Sequence, residues 1–344
     1  MTQEQPKIGL ALSGGGVRGL AHLGILEVLE KAEIPIHYLA GTSMGGIIAG
    51  LYAAGAPLAR LIDFSLHTGI MDFASRDPHL RGLFGHAKMS QMLTDLIGRP
   101  DMTFEELRIP TTVVASDVES GEMVLLNQGP LIPALLATSA FPIIFAPVRY
   151  QGRWLIDGGV LNNFPVDVVY HMGADRVLGV NTPPTVRLSL PPSDPQPNRL
   201  SGRALFTSFT NATLDWKQPL LIAETGAHLT VDIVNHERLQ RNPPHLLLQI
   251  ELHNTGTFTT DTNAAVIQKG REIAKAHLDE IKALWSEPLP PRWQRQLRSL
   301  RRRLRRAWDA FQQPDYGLIP QPGPAPATQA ASESQAEQTT GDEP

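Results

Sequence analysis

Residues 34–55 read IPIHYLAGTSMGGIIAGLYAAG. Branched apolar residues lead into a cluster of small ones, and a small-residue helical pattern follows. At the centre, Gly41-Thr42-Ser43-Met44-Gly45 has the G-x-S-x-G spacing of a nucleophile elbow. In such a turn the hydroxyl must stand clear of the sheet. The backbone is therefore held in a strained conformation, and side chains at the flanking positions would collide. The stretch predicts a short buried strand, a sharp turn carrying Ser43 and a closely packed helix. A plain turn uses the same small residues, so the rest of the chain must decide.

A second cluster precedes it. Residues 7–30, KIGLALSGGGVRGLAHLGILEVLE, read as a strand, a glycine loop and a helix. Gly14, Gly16 and Gly19 satisfy G-x-G-x-x-G, so a dinucleotide site has to be weighed. That site wants a carboxylate at the end of the second strand to hold the ribose. Here the second strand ends in Leu39-Ala40-Gly41-Thr42-Ser43. The alternative is an oxyanion hole, in which glycine amides and the start of a helix meet a developing negative charge. Both loops would leave the carboxyl edge of adjacent parallel strands, where open α/β sheets bind ligands. Arg18 either orients this loop or is an ordinary surface or capping arginine.

The chain as a whole narrows the classes. It has 344 residues, 42% of them hydrophobic, which suits one large core. The formal net charge of −4 gives no reason to expect nucleic acid. With no cysteine, a disulfide scaffold, a thiolate metal site and a cysteine nucleophile are excluded. The first residues lack the pattern of a secretory signal, and no apolar run approaches the roughly 20 residues of a membrane span. The expectation is a cytoplasmic chain, soluble or peripheral on the inner face of the membrane.

Serine needs a base. There are 11 histidines, but none sits in a glycine-shaped setting. His22 lies inside an apolar helical face, as a packed histidine does, and His67, His79 and His86 lie in polar or loop contexts. A carboxylate stands out instead. Residues 148–166, VRYQGRWLIDGGVLNNFPV, read as two short strands about Gln151-Gly152, ending in Asp157-Gly158-Gly159. Paired glycines let a backbone approach something closely. Asp157 is either a plain Asp-Gly turn or a base tuned by burial.

These four stretches together resemble the patatin-like phospholipases in their compact bacterial form, from about Lys7 to Leu284. GLALSGGGVRGLAHLGIL (9–26) is similar to the family's glycine block and AGTSMGG (40–46) to its elbow. ATSAFPIIFAPV (137–148) and DGGVLNNFPV (157–166) are similar to its third and fourth blocks. Val17 and Gly46 depart slightly from the pattern. The resemblance implies a three-layer α/β/α sandwich with a mostly parallel central sheet, over residues 7–287. It implies lipid ester hydrolysis through an acyl-enzyme, with Ser43 as nucleophile and Asp157 as base, and without a catalytic histidine. Gly14, Gly15 and Gly16 would form the oxyanion hole, supported by Arg18. The substrate would be a lipid or lysolipid, and neither metal nor organic cofactor is implied. Ser139, Ala140, Phe141 and Pro142 would be wall and scaffold, and Asn163 and Pro165 would shape the loop after Asp157. Competing readings are a thioesterase or lysophospholipase on soluble substrates, and a vestigial lipid-binding regulator. Oligomeric state is left open.

The C-terminal region differs. In residues 292–308, RWQRQLRSLRRRLRRAW, a helix would put Trp293, Leu297, Leu300, Leu304 and Trp308 on one stripe with eight arginines off it. An interfacial helix on anionic headgroups has this pattern over 292–311. A helix packed on the domain, or one presented to another macromolecule, would also fit. Residues 312–344, rich in Pro, Gln, Ala, Thr, Ser and Glu, read as a disordered tail. The Pro-rich stretch 181–200 reads as a surface loop or a rim of the site. A chain ending at residue 287 is expected to lose cosedimentation with anionic vesicles; undiminished binding would reject the interfacial helix.

Overall fold

The structure, a computed structural model, describes residues 5–73, 75, 81–183, 217–252 and 262–289. The predicted basic segment 292–311, the tail 312–344, His79 and all but the start of the 181–200 stretch lie outside them.

Eight strands form one sheet: β1 (Ile8–Leu12), β2 (Tyr38–Thr42), β3 (Thr111–Asp117), β4 (Met123–Leu126), β5 (Val148–Tyr150), β6 (Arg153–Asp157), β7 (Arg176–Asn181) and β8 (Leu246–Gln249). The order is β5-β6-β3-β2-β1-β7-β8, with β4 also on β3. Strands β3, β2, β1, β7 and β8 run parallel; β4, β5 and β6 are antiparallel to their neighbours. The sheet is thus mostly parallel, as expected, with antiparallel pairing confined to one end.

Both faces of the sheet are covered, which the uninterrupted burial of β1 requires. Strand alternation divides the side chains between two cores. Leu10, Leu12, Leu39, Val113, Leu178 and Val180 face the larger one. That core is completed by α1 (Ala21–Lys31), α2 (Met44–Ala53), α3 (Leu58–His67), α4 (Ala87–Ile97), α5 (Leu131–Thr138) and α9 (Asn263–Ala276). Ala11, Ala40, Val114 and Val177 face the smaller core. There they meet Phe164 and α7 (Val166–His171), with Leu239 of α8 (Lys217–Arg241) packed against them. Two short helices complete the described residues, α6 (Gly159–Asn162) and α10 (Leu278–Ser286). The result is three layers, helix on sheet on helix.

The strand expected over 34–40 begins only at Tyr38. Pro35 has no N–H to give to a ladder, and the residues before Tyr38 instead approach β1 through His37, whose Nδ1 accepts from the Ile8 amide at 3.0 Å.

Strand β3 carries the feature that places the site. Ala115 is paired with both Val124 and Asp157, so β4 and β6 lie on opposite edges there. Val114 is paired with both Thr42 and Leu125, so β2 and β4 are also on opposite edges. Hence β2 and β6 share one edge of β3, running towards each other. Strand β2 ends opposite Val114, and β6 ends opposite the next residue, Ala115. The two chain ends meet there, one delivering Ser43 and the other Asp157.

Candidate active site

Ser43 has φ 54 and ψ −127, the strained left-handed backbone expected for a nucleophile elbow. The flanking glycines are required by contact. A Cβ on Gly45 would lie 2.4 Å from the Leu12 carbonyl oxygen, and one on Gly41 would lie 2.3 Å from that of Gly45. The elbow is thus pressed against the end of β1, where the glycine loop begins.

One side chain pins the elbow that the sequence did not single out. Thr138, fully buried at the end of α5, accepts the Ser43 amide on its hydroxyl at 3.0 Å. The same hydroxyl donates to the Val114 carbonyl, at the point where β2 leaves the edge of β3. Nothing in its sequence context separates Thr138 from the helix it closes. The neighbouring residues do serve as wall: Ser139, Phe141 and Pro142 line the cavity described below, and the Ala140 carbonyl holds the Asp157 amide at 3.0 Å.

Asp157 is only 2% exposed. Its Oδ1 accepts the Gly159 amide at 2.7 Å. Burial pushes its pKa up to about 6, against the lowering effects of Ser43 and of the Gly159 amide. Gly158 allows the approach, since a Cβ there would lie 2.2 Å from the Val114 carbonyl oxygen. That carbonyl is the close contact anticipated from the paired glycines.

The glycine loop sits beside Ser43; a Cβ on Gly14 would lie 3.0 Å from the Ser43 Cβ. Gly14 itself does not present a free donor. Its N–H donates to the Asn163 carbonyl at 2.9 Å, so the expectation of three glycine donors is corrected to two. Among the described residues nothing takes the amides of Gly15 and Gly16, which open a 3-10 turn over Gly16–Leu20 with Gly16 at φ 56. Thr182 fixes the loop from β7: its hydroxyl donates to the Gly14 carbonyl at 3.1 Å and its amide donates to the Ser13 hydroxyl at 2.9 Å. Asn163 thus holds the glycine loop through its backbone carbonyl, while Pro165 is not among the residues lining the cavity and stands at the start of α7.

Arg18 is 1% exposed, which removes the surface reading. It lines the cavity with the glycines, and its positive charge acts on Asp232 of α8. His22 is fully buried, with Nε2 on the Ser13 carbonyl at 2.8 Å, and burial lowers its pKa to about 4. It is a neutral packed histidine. No histidine lines the cavity among the described residues. His67 pairs with Asp63, and His86 reaches the Ala146 carbonyl. Among the described residues no three His, Cys, Asp or Glu side chains form a metal-binding group.

Ser43, Asp157, Gly14, Gly15, Gly16 and Arg18 all line one cavity of about 430 Å³. The rest of its lining is mainly apolar, with Leu23, Ile48, Leu61, Phe64, Met89, Leu93 and Phe145 among it. A buried carboxylate and a strained hydroxyl on one apolar cavity, beside two open amides, are the groups that acyl transfer requires.

Two predictions follow from this geometry. Thr138→Val leaves the Ser43 amide and Val114 carbonyl without their partner, at a cost of about 2–3 kcal/mol of stability. Thr138→Ser should restore the melting temperature. For Asp157, ionisation inside the fold costs about 3 kcal/mol, given a pKa moved from 3.8 to about 6. That stability is intact below pH 3.8 and is lost as the pH rises through 6. Asp157→Asn should therefore melt above wild type at pH 8, with the gap closing as the pH falls.

Residues 10–170 match the sequence model of the family described as Patatin-like phospholipase. An NTE family protein of Mycobacterium tuberculosis is 33% identical over 182 residues, covering 51% of this chain and 49% of that protein. The lysophospholipase nte1 of Aspergillus fumigatus is 27% identical over 294 residues, covering 82% of this chain and 19% of that protein. The chain thus spans about half the length of the mycobacterial relative and a fifth of the fungal one. VipD of Legionella pneumophila aligns at a TM-score of 0.45 and 16% identity, over 80% of this chain and 67% of that one. Relatives in fungi as well as bacteria mean that the likeness is not specific to a bacterial form. From residue 10 to residue 170, the chain is similar to the patatin-like phospholipase domain.

Proposed function

We propose that this chain hydrolyses carboxylic esters of lipids by way of an acyl-enzyme on Ser43. The observation that carries the proposal is the convergence of a strained Ser43 and the buried Asp157 on one apolar cavity, from strands that end at adjacent residues of β3. The family match and the lysophospholipase relative favour a phospholipid or lysophospholipid as substrate. A volume of about 430 Å³ falls within the usual range for small-ligand sites.

The steps follow from the positions of the groups. An acyl chain enters the apolar cavity and brings its ester carbonyl to Ser43. The Ser43 Oγ attacks the carbonyl carbon as its proton passes to the Asp157 carboxylate. The oxygen that becomes negative lies against the N–H groups of Gly15 and Gly16, each donor of this kind being worth about 3–4 kcal/mol of barrier. Collapse breaks the ester bond, and the departing alcohol takes the proton from Asp157. Water then attacks the acyl-serine, giving its proton to Asp157, and the fatty acid leaves as Ser43 regains its hydrogen. A carboxylate suits both roles because burial brings its pKa to about 6, close to working pH. In the same proposal, the basic stripe expected over 292–311 holds the chain at an anionic membrane surface. The charge and apolar pattern of that segment supports this.

The test is incubation of wild type and Ser43→Ala with a mixed lipid extract, reading which species are consumed. Wild type should consume ester lipids and Ser43→Ala none, and a fluorophosphonate should label only wild type. Labelling that survives in Ser43→Ala would overturn the assignment. For wild type, kcat/KM should climb with pH and level off above an apparent pKa of about 6, as Asp157 ionises. A vestigial lipid-binding protein would consume nothing in either form.

A further inference from the structure

The segment that walls the cavity has an outer side with a chemistry of its own. Residues 81–84 run along 143–146, tied by Leu83 N–H to the Ile143 carbonyl at 2.9 Å and Phe84 N–H to the Ile144 carbonyl at 2.8 Å. The Ala146 N–H returns to the Phe84 carbonyl at 3.0 Å. Facing inward, Ile144 and Phe145 are buried and line the cavity. At the mouth, Ile143 also lines the cavity but is 54% exposed, and Leu83, hydrogen-bonded to its carbonyl, is 56% exposed. Ile143 also has φ 74, a backbone that a β-branched residue adopts only under constraint. Water offers no reason to hold an isoleucine in this way at the mouth of a cavity.

Next to this apolar pair lies an aromatic flanked by cations. The guanidinium of Arg81 sits 4.7 Å from the centre of the Trp154 ring, and that of Arg149, its cross-strand partner on β5, sits 5.9 Å away. The acids of the neighbouring turn, Asp117 and Glu122, are taken up by Arg153. Among the described residues, Arg149 has no acidic partner. Exposed aliphatic side chains, a half-buried tryptophan and arginines are the groups found at a bilayer boundary. Aliphatic groups enter the acyl region, the indole sits at headgroup depth and the cations meet anionic lipid.

We infer that this outer wall, Leu83 and Ile143 with Arg81 and Arg149 about Trp154, is the face on which the chain settles on an anionic lipid surface. The inference rests on the proposed lipid hydrolysis, and it adds where on the molecule the substrate phase is met. A lipid drawn from that surface passes from Ile143 on the outside to Ile144 and Phe145 within, so its acyl chain remains against apolar groups.

The test uses the full chain with vesicles of phosphatidylcholine, alone or mixed with phosphatidylglycerol. Leu83→Ser/Arg149→Glu alters two exposed side chains that do not line the cavity. It should bind the mixed vesicles about tenfold more weakly. Hydrolysis of a soluble short-chain ester and the melting temperature should stay at wild-type values. Arg149→Lys, which keeps the charge, should bind as wild type does. Unchanged binding by the double variant would overturn the inference, as would a change in its native mass in place of a change in vesicle binding, which would assign the face to a second copy. Ser43→Ala should bind as wild type does. Hydrolysis absent from wild type, with Leu83-dependent binding intact, would count against the catalytic reading and for this surface.

Discussion

One edge of β3 determines the rest of the structure around the site. It is shared by β2 and β6, which approach from opposite directions and stop at adjacent residues, Val114 and Ala115. Backbone hydrogen bonding fixes strand register, and a slip of one residue would turn every side chain to the opposite face. The separation of Ser43 and Asp157 is therefore set by the ladder before any side chain is chosen. The side chains that matter most nearby act on that backbone. Thr138 takes the amide of Ser43 and the carbonyl of Val114, and Gly158 lets the turn after Asp157 lie against the same carbonyl.

The electrostatics follow from the same burial. Removing a carboxylate from water disfavours its charge, and Ser43 and the Gly159 amide offset only part of that cost. The result is a carboxylate whose pKa of about 6 lies close to neutrality. The histidine beside the glycine loop goes the other way. Burial keeps His22 neutral, and its Nε2 holds the Ser13 carbonyl at the end of β1. One titratable group is shifted up and the other down by one physical effect, with opposite signs because one is anionic and the other cationic when charged.

Much of this could be read from the sequence, and the part that could not has a common cause. Gly41, Ser43, Gly45, Gly158 and the loop 14–16 announce themselves because a tight backbone leaves only small residues available. The layers are legible in the alternation of Leu10 and Leu12 against Ala11. The meeting of β2 and β6 on one edge was hidden, because it depends on two long-range pairings with β3, Thr42 with Val114 and Asp157 with Ala115. For the same reason the sequence could not show that the Gly14 amide is claimed by Asn163, that Thr138 braces the elbow or that Arg18 is enclosed. Each is a consequence of which long-range neighbour arrives. Local pattern constrains what a residue can do, and topology decides which partner it finds.

The segment 138–146 shows how tightly the functions are joined. Within nine residues, Thr138 braces Ser43, Ala140 holds the Asp157 amide, Phe141, Ile144 and Phe145 wall the cavity, and Ile143 stands exposed at its mouth in a strained backbone. Helix α5 fixes the start of the segment and the pairing with 81–84 fixes its end. A chain held at both ends over so short a span has little freedom to absorb a change in one place. The Leu83 and Phe84 amides hold the carbonyls of Ile143 and Ile144. The Ala140 carbonyl, three residues before Ile143, accepts the Asp157 amide. The outer wall and Asp157 therefore belong to one mechanical unit.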